Sequence, residues 1–333
     1  MKVYVKTPAR LHLGIIDLNG GVGRIFGGIG VAISSPNVVI EAQTSDEIEV
    51  LGEGEALVRP LVKRFLEAYN LKADIRINVR RLIPQHMGLG SGTQLALAVA
   101  TALAKLLNID KPTSELAYIM GRGRISGVGT AVFEHGGFVV EGGLRNKTEG
   151  RDTRVLSREG LSPLIFHRPF PEDWFFVVAV PNLKPRFTDE EEWPVFMQLP
   201  PMPAREVGKI CRLIIMKLLP SLIERDIEGF GEALTCIQKI TGNFFAAVQG
   251  GPYSDPIIGE CISYMLDKGA YGAGQSSWGP TFYGLVKGRK QAEELQSSLQ
   301  CLIDSKVGGR VFHVKADNRG AYVRLSTGQV SLK

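Results

Sequence analysis

The chain has 333 residues, 44% of them hydrophobic, and its 39 basic and 34 acidic residues give a formal net charge of +5. This is enough for two lobes around a sizeable core, and the charges are scattered instead of forming the basic stripe of a nucleic-acid surface, so an anionic small molecule is the better partner. The basic clusters are short: Arg122 with Arg124, and Lys147–Arg158, which Glu149 and Asp152 interrupt.

In chain order, Lys2–Lys6, Val38–Gln43 and Asp74–Arg80 read as strands, the last alternating Ile75, Ile77 and Val79 with polar residues. A helix is expected where Leu57, Val58, Leu61, Val62, Phe65, Leu66 and Tyr69 share one face, with Pro60 near its start. Thr93–Leu107 is apolar almost all round and predicts a buried helix. A further helix follows Pro112, with Thr113 as N-cap and Glu115 in its first turn. The strongest apolar run, Trp174–Pro181, is too short to cross a bilayer. Residues 183–203 carry five prolines and an acidic run, and read as a lobe boundary, linker or lid. Helices are then expected over Ala204–Glu224, Glu228–Val248, Ile257–Lys268 and Arg289–Ile303, with strands at Thr281–Val286, Val311–Lys315 and Ala321–Leu325. The expected organisation is an N-terminal domain over 1–182, the linker or lid at 183–203, and a C-terminal domain over 204–333. Cys211, Cys236, Cys261 and Cys301 lack metal-site spacing and read as reduced thiols; with no apolar leader after Met1, a cytoplasmic protein away from membranes is expected.

Four segments carry chemistry. Pro84–Thr93 lies between a strand and the buried helix, and Gly88, Gly90 and Gly92 let backbone N–H groups approach an anion at the helix N-terminus. Ser91 and Thr93 add hydroxyls that can bond a phosphate or a metal ion on it; the plain alternative is a tight turn that caps the helix. The loop has neither the closing Lys of a Walker loop nor a dinucleotide fingerprint. Gly269–Pro280, with Gly274, Gln275, Ser276, Ser277 and Trp278, is either a surface loop or a polar clamp. In Thr7–Gly14, continuing through Asp17 and Arg24, Arg10 and His12 share a strand face and can meet an anion or line a solvated edge. In Arg122–Gly137, two arginines and a Gly/Ser-rich turn precede Glu134, and a guanidinium fork matches phosphate.

In this order the four segments resemble the GHMP kinase superfamily, and within it the β-ribofuranosylaminobenzene 5′-phosphate synthase family. The most diagnostic pieces are Thr7–Asp17, Gly121–Thr130 with Phe133-Glu134, and Gly274–Pro280. The resemblance implies an α/β (α+β) fold of two lobes, the first with a mixed sheet and the buried helix, the second α+β. Departures from the kinase pattern are informative. Gly92-Thr93 stands where the kinases carry Ser-Ala, and Gln275–Trp278 fills the space of a glycine run that admits ATP phosphates. The kinase base aspartate aligns near 131–134, where Glu134 is the only carboxylate.

The resemblance further implies a pentosyltransferase. 5-Phosphoribosyl-1-diphosphate would condense with 4-aminobenzoate or 4-hydroxybenzoate, releasing diphosphate and CO2, early in methanopterin biosynthesis, with Mg2+ and in a homodimer. On that reading Gly88–Thr93 takes the diphosphate, helped by Gly274 and Gln275–Ser277. Arg10 and Arg24 take the arene carboxylate or the 5-phosphate, and Arg122 and Arg124 a phosphate. Asp17 and Glu134 contact ribose hydroxyls or Mg2+, and His12 and His86 move a proton. His135, His167 and His313 rank below these. The alternatives are an ATP-dependent small-molecule kinase of the same fold and a non-catalytic metabolite sensor.

Overall fold

The computed structural model describes residues 1–146, 161–187 and 189–326; the basic cluster at 147–158 lies outside them. Two long antiparallel strands organise the first lobe: β1 (Lys2–Asp17) and β2 (Arg24–Thr44). Both run far beyond the expected Lys2–Lys6 and Val38–Gln43. Pro8 and Pro36 flank one bulge. The register jumps from Pro8↔Asn37 to Ala9↔Ile33, and the extra β2 residues leave the ladder where a proline N–H is not needed.

The chain then forms β3 (Glu49–Gly52), α1 (Glu55–Ala68) and β4 (Ile75–Arg81), and with β12 (Tyr322–Ser326) beside β1 the sheet is ordered β12-β1-β2-β4-β3. Helix α2 (Ser91–Leu106) is buried along nearly its whole length and packs on β1 and β2, as its all-round apolar pattern requires. Helix α3 (Thr113–Ile119) starts one residue earlier than expected. Pro112 is its cap and Thr113 is already helical, so Thr113 makes no side-chain cap. Helix α4 (Val128–His135) was not legible, because Gly127, Gly129 and Thr130 read as a turn. It leads to β5 (Phe138–Glu141), β6 (Leu144–Arg145) and β7 (Leu164–Arg168), which extend the β2 side of the sheet.

Strand β8 (Trp174–Pro181) does not join that sheet. It lies between β10 (Phe282–Lys287) and β11 (Gly309–Lys315) in a second antiparallel sheet that β9 (Gly272–Gln275) completes. A division at residue 182 therefore separates β8 from its hydrogen-bonding partners, and β12 (Tyr322–Ser326) returns to pair with β1. Within 183–203 the chain forms α5 (Asp189–Gln198). The helix expected over Ala204–Glu224 is α6 (Ala204–Leu213), a π turn at Ile214–Leu218, and α7 (Leu219–Glu224). Pro220 lacks the N–H that would continue regular α bonding, which accounts for the wider turn before it. Helices α8 (Ile227–Gln249), α9 (Pro256–Asp267) and α10 (Arg289–Asp304) follow the expected pattern within two residues.

The two sheets share one core. Phe230 of α8 is fully buried, with its ring 5.8 Å from Phe138 of β5, 5.5 Å from Phe170 and 5.4 Å from Trp174 of β8. Phe170 also stacks on Phe176, whose ring meets Tyr283 of β10. Aromatic packing thus ties the two sheets together across one core.

Candidate active site at the junction of the lobes

The glycine-rich loop ends at Gly90, a left-handed residue that starts α2 with no side-chain cap. First-turn N–H groups of a helix have no helical acceptor, so those of Ser91, Gly92 and Thr93 are presented at the positive end of a long, buried dipole. The loop is held from two sides. From β1, the Arg10 N–H donates to the Leu89 carbonyl at 3.1 Å and its Nη1 donates to the Gly88 carbonyl at 2.6 Å. From the second lobe, Ser276 Oγ donates to that same Gly88 carbonyl at 2.6 Å and accepts the His12 N–H at 2.9 Å. Three of the four segments therefore meet at one carbonyl, and Arg10 brings a fixed positive charge beside the helix N-terminus.

The fourth segment meets them through His12. Its Nε2 lies 3.1 Å from Ser126 Oγ, just before α4. The ring is buried, and burial pulls its pKa down to about 3, with the Arg10 guanidinium adding to the effect. His12 is therefore neutral at physiological pH. This has a stability consequence whose sign is fixed. An unfolded histidine binds a proton below about pH 6.5 while folded His12 does not, so stability falls as pH drops, by about 1.4 kcal/mol per pH unit. Urea unfolding between about pH 5.5 and 4 should show this slope, and His12→Gln should flatten it. Equal slopes in the two proteins would contradict the burial of a neutral ring.

Beside His12 lies a carboxylate that sequence reading passed over. Glu141, at the end of β5, is 1% exposed and accepts the N–H of Gly127 at 3.1 Å and of Gly143 at 2.8 Å. The hydroxyls of Ser162 and Ser126 also bond to it. Burial pushes its carboxyl up, against the pull of these four hydrogen bonds. A Cβ placed on Gly28 would lie 3.1 Å from Glu141 Oε1 and 3.2 Å from His12 Nε2, so both groups converge over the same bare backbone of β2. The only sequence signal was an acidic residue closing the apolar run Phe138-Val-Val140.

Other expected residues have building roles. Arg24 donates from Nε to the Gly142 carbonyl at 2.7 Å and from Nη2 to that of Gly143 at 2.6 Å, pinning the turn after Glu141. Gln275 is buried: its Oε1 accepts the Ser254 N–H at 2.8 Å and its Nε2 donates to the Ser277 carbonyl at 3.0 Å. Gly274 packs on Gln238, which reaches back to the Leu13 carbonyl at 2.7 Å. The expected clamp is thus corrected in part, because Gln275 and Ser276 are committed to internal bonds that build the wall. Ser277, half-buried with φ of 55°, follows them at the turn. His86 is half-buried in the loop with φ of 57°. Arg122 and Arg124 sit on the turn that leads to Ser126, Arg124 exposed.

Asp17 and Glu134 are not brought together. Asp17 ends β1, and its Oδ1 accepts the N–H groups of Asn19 at 2.6 Å and Gly20 at 2.9 Å. Glu134 is exposed at the far end of α4, its carboxylate 4.0 Å from His135. Along β2 their neighbourhoods are marked by Phe26, opposite Asp17, and Ala32, which bonds Gly137. That separation is about 20 Å of strand. No group of three or more His, Cys, Asp or Glu among the described residues could hold a metal ion. The expected Mg2+ pair thus does not fit.

Over the Ser276 turn, Trp278 packs with Phe187, Phe196 of α5 and Phe245 of α8, at ring distances of 4.9, 5.4 and 4.7 Å. The proline-rich segment therefore covers this wall. Lys184, Arg186, Ser254 and Pro280 line a groove of about 470 Å3 next to it. A larger groove of about 730 Å3, lined by Ser34, Asp173, His313 and Lys315, touches none of these residues. Among the described residues no helix is long and apolar enough to cross a membrane, and Cys211, Cys236, Cys261 and Cys301 are free thiols.

Comparison with known proteins agrees with this architecture. The family model for the GHMP kinases N terminal domain matches residues 56–137, and that for the GHMP kinases C terminal matches 218–303. The β-ribofuranosylphenol 5′-phosphate synthase of Methanothermobacter thermautotrophicus is 34% identical, covering 97% of this chain and 99% of the relative. Its counterpart in Archaeoglobus fulgidus is 37% identical, covering 96% and 99%. Among solved structures, homoserine kinase from Cytophaga hutchinsonii superposes with a TM-score of 0.66 at 16% identity, covering 97% of each chain. Mevalonate diphosphate decarboxylase from Enterococcus faecalis gives 0.66 at 13% identity, covering 98% and 99%; at such identities these two establish the fold alone. The phosphate-loop architecture is that of the GHMP kinases, and the chain belongs to the β-ribofuranosylphenol 5′-phosphate synthase family within it.

Proposed function

We propose that this protein condenses 5-phosphoribosyl-1-diphosphate with a 4-substituted benzoate, releasing diphosphate and CO2 and joining ribose C1 to the ring. The observation that carries the reading is the near full-length match to synthases whose name specifies a ribofuranosyl phenol with a 5′-phosphate. The phenol in that name favours 4-hydroxybenzoate over 4-aminobenzoate.

The chemistry suits these residues. The C1–oxygen bond to diphosphate breaks, and the electron pair leaves with the diphosphate. The ring carbon that bears the carboxylate supplies the pair for the new C1–carbon bond. Loss of CO2 then returns a pair to the ring and restores aromaticity. Substitution and decarboxylation balance without a net proton, so a charged acid or base at the ring is not needed, which agrees with a neutral His12. What the protein must supply is stabilisation of the departing diphosphate and orientation of the arene. The N–H groups of Ser91, Gly92 and Thr93, with Gly88 and Gly90 giving close approach and Arg10 beside them, are suited to the diphosphate. Arg122 and Arg124 are assigned to the 5-phosphate.

Magnesium enters this reading as the counter-ion of the diphosphate. Such an ion takes most of its ligands from phosphate oxygens and water, and the hydroxyls of Ser91 and Thr93 are the chain's donors at that position. Homodimerisation and a cytoplasmic location complete the proposal and rest on the family resemblance. The test is diphosphate formation from phosphoribosyl diphosphate and 4-hydroxybenzoate without ATP. Formation that requires both substrates is the expected result. ATP consumption with an alcohol substrate, and no diphosphate from phosphoribosyl diphosphate, would overturn it in favour of a kinase.

A further inference from the structure

We infer that the groove beside the Ser276 turn, which Lys184, Arg186, Phe187 and Ser254 help to line, binds a small aromatic carboxylate. Under the proposed function that ligand is the 4-substituted benzoate, so the inference rests on that reading and gives its second substrate a subsite. An arene carboxylate needs a cation, and the two arginines expected to meet it from the first lobe hold the protein's own backbone. Arg24 donates to the carbonyls of Gly142 and Gly143, and Arg10 to that of Gly88. Lys184 and Arg186 bring two further positive charges to the groove. The one carboxylate among its lining residues, Asp255, caps α9 by accepting the Ile257 N–H at 3.0 Å, so the balance there stays positive.

The mixture of groups selects an aromatic acid over a phosphate. A phosphate is met by N–H groups and cations, whereas Leu183, Pro185, Phe187 and Pro280 give this groove an apolar wall. The Arg186 guanidinium lies 5.9 Å from the centre of the Phe187 ring, so a carboxylate paired with Arg186 brings its own ring to an aromatic neighbour. Ser254 Oγ is buried and has no hydrogen-bond partner among the described residues. A serine hydroxyl both donates and accepts, so it suits a 4-hydroxyl or a 4-amino group. The volume of about 470 Å3 falls within the range of ligand pockets, roughly 300–1,000 Å3. The groove also borders the glycine loop. Ser254 Oγ is 2.6 Å from a Cβ placed on Gly279, and the Gly279 carbonyl oxygen is 3.2 Å from one placed on Gly88. Thr281, next to Pro280, donates its N–H to the Met87 carbonyl at 3.3 Å. Lys184 and Arg186 are exposed, so their attraction is screened by water. The carboxylate is thus held without a buried ion pair that would oppose its departure as CO2.

The kinetic test is the double variant Lys184→Gln with Arg186→Gln. It should raise KM for 4-hydroxybenzoate about tenfold, the low end for hydrogen bonds to charged groups, and leave kcat and KM for phosphoribosyl diphosphate within about twofold. Lys315→Gln, in the larger groove that shares no residue with this one, is the control and should change neither KM. A rise in KM for phosphoribosyl diphosphate with the arene KM unchanged would make the groove a phosphate site and overturn the inference. An equal rise in arene KM in Lys315→Gln would reduce the effect to the general field of the protein and overturn it too. The second arm needs no turnover. In equilibrium dialysis with carboxyl-labelled 4-hydroxybenzoate, the wild-type protein should bind the acid and the double variant should bind it about tenfold more weakly. That result from a protein without turnover would count against the proposed function and leave this inference standing. Turnover with an unaltered arene KM in the double variant would do the reverse.

Discussion

Gly88→Ala is expected to lower kcat/KM by at least about a hundredfold, because it displaces the loop that carries the anion-binding N–H groups. Gly88 has φ of 80°, and a Cβ there would lie 2.3 Å from the Ser276 carbonyl oxygen and 3.2 Å from that of Gly279. Neither neighbour is a flexible side-chain tip; both are backbone of the second lobe. Relief therefore requires the loop and the Ser276 turn to part, which breaks the bonds that Arg10 and Ser276 make to the Gly88 carbonyl. Gly288 separates this clash from backbone strain. Its φ is 81°, but nothing lies within 4 Å of its Cβ position, and it is remote from the loop. Gly288→Ala should cost about 1–3 kcal/mol of stability and leave turnover unchanged. Steady-state kinetics and thermal melts on the two variants make the comparison. Equal activity in both would mean that the loop is not held by the opposite lobe.

Phe230→Ala is expected to destabilise the protein by about 3–5 kcal/mol, the usual cost of emptying a fully buried aromatic position. The ring touches Phe138 of the first sheet and Trp174 of the second, as well as Phe170 between them. The vacated volume cannot be filled by one lobe without shifting the other. Loss of stability should therefore appear as one cooperative urea transition at lower midpoint. Two separated transitions would mean that the lobes do not share this core. A loss below about 1 kcal/mol would mean that the site collapses around the smaller side chain.

Much of this arrangement was readable from residue patterns, and the failures have physical causes. The all-round apolar face of α2 could belong only to a buried helix, and that fixed the glycine loop inside the molecule. The four segments do meet, through Arg10, His12, Gly88, Ser126 and Ser276. The lengths of β1 and β2 were hidden, because Pro8, Pro36 and the glycines of Gly27–Gly30 resemble loop punctuation when their pairing partner is unknown. Strand β9 was hidden in the same way by Gly272 and Gly274.

Glu134 was favoured on alignment position, but the direction of α4 carries it to the exposed end of that helix. Glu141 was missed because one acidic residue at the close of an apolar strand is ordinarily solvated. Only the tertiary turn at Gly142-Gly143, held by Arg24, shows it to be buried. Ser276 looked like a ligand clamp because its partners, the His12 N–H and the Gly88 carbonyl, are 264 and 188 residues away in sequence.

The most direct test of the central claim is the fate of the arene carboxylate. With carboxyl-labelled 4-hydroxybenzoate, phosphoribosyl diphosphate and Mg2+, and no ATP, labelled CO2 should appear in step with diphosphate and only when both substrates are present. Diphosphate formation with the label retained in the aromatic product would contradict a bond made at the carboxylate-bearing carbon. No release from folded protein would contradict the synthase reading itself.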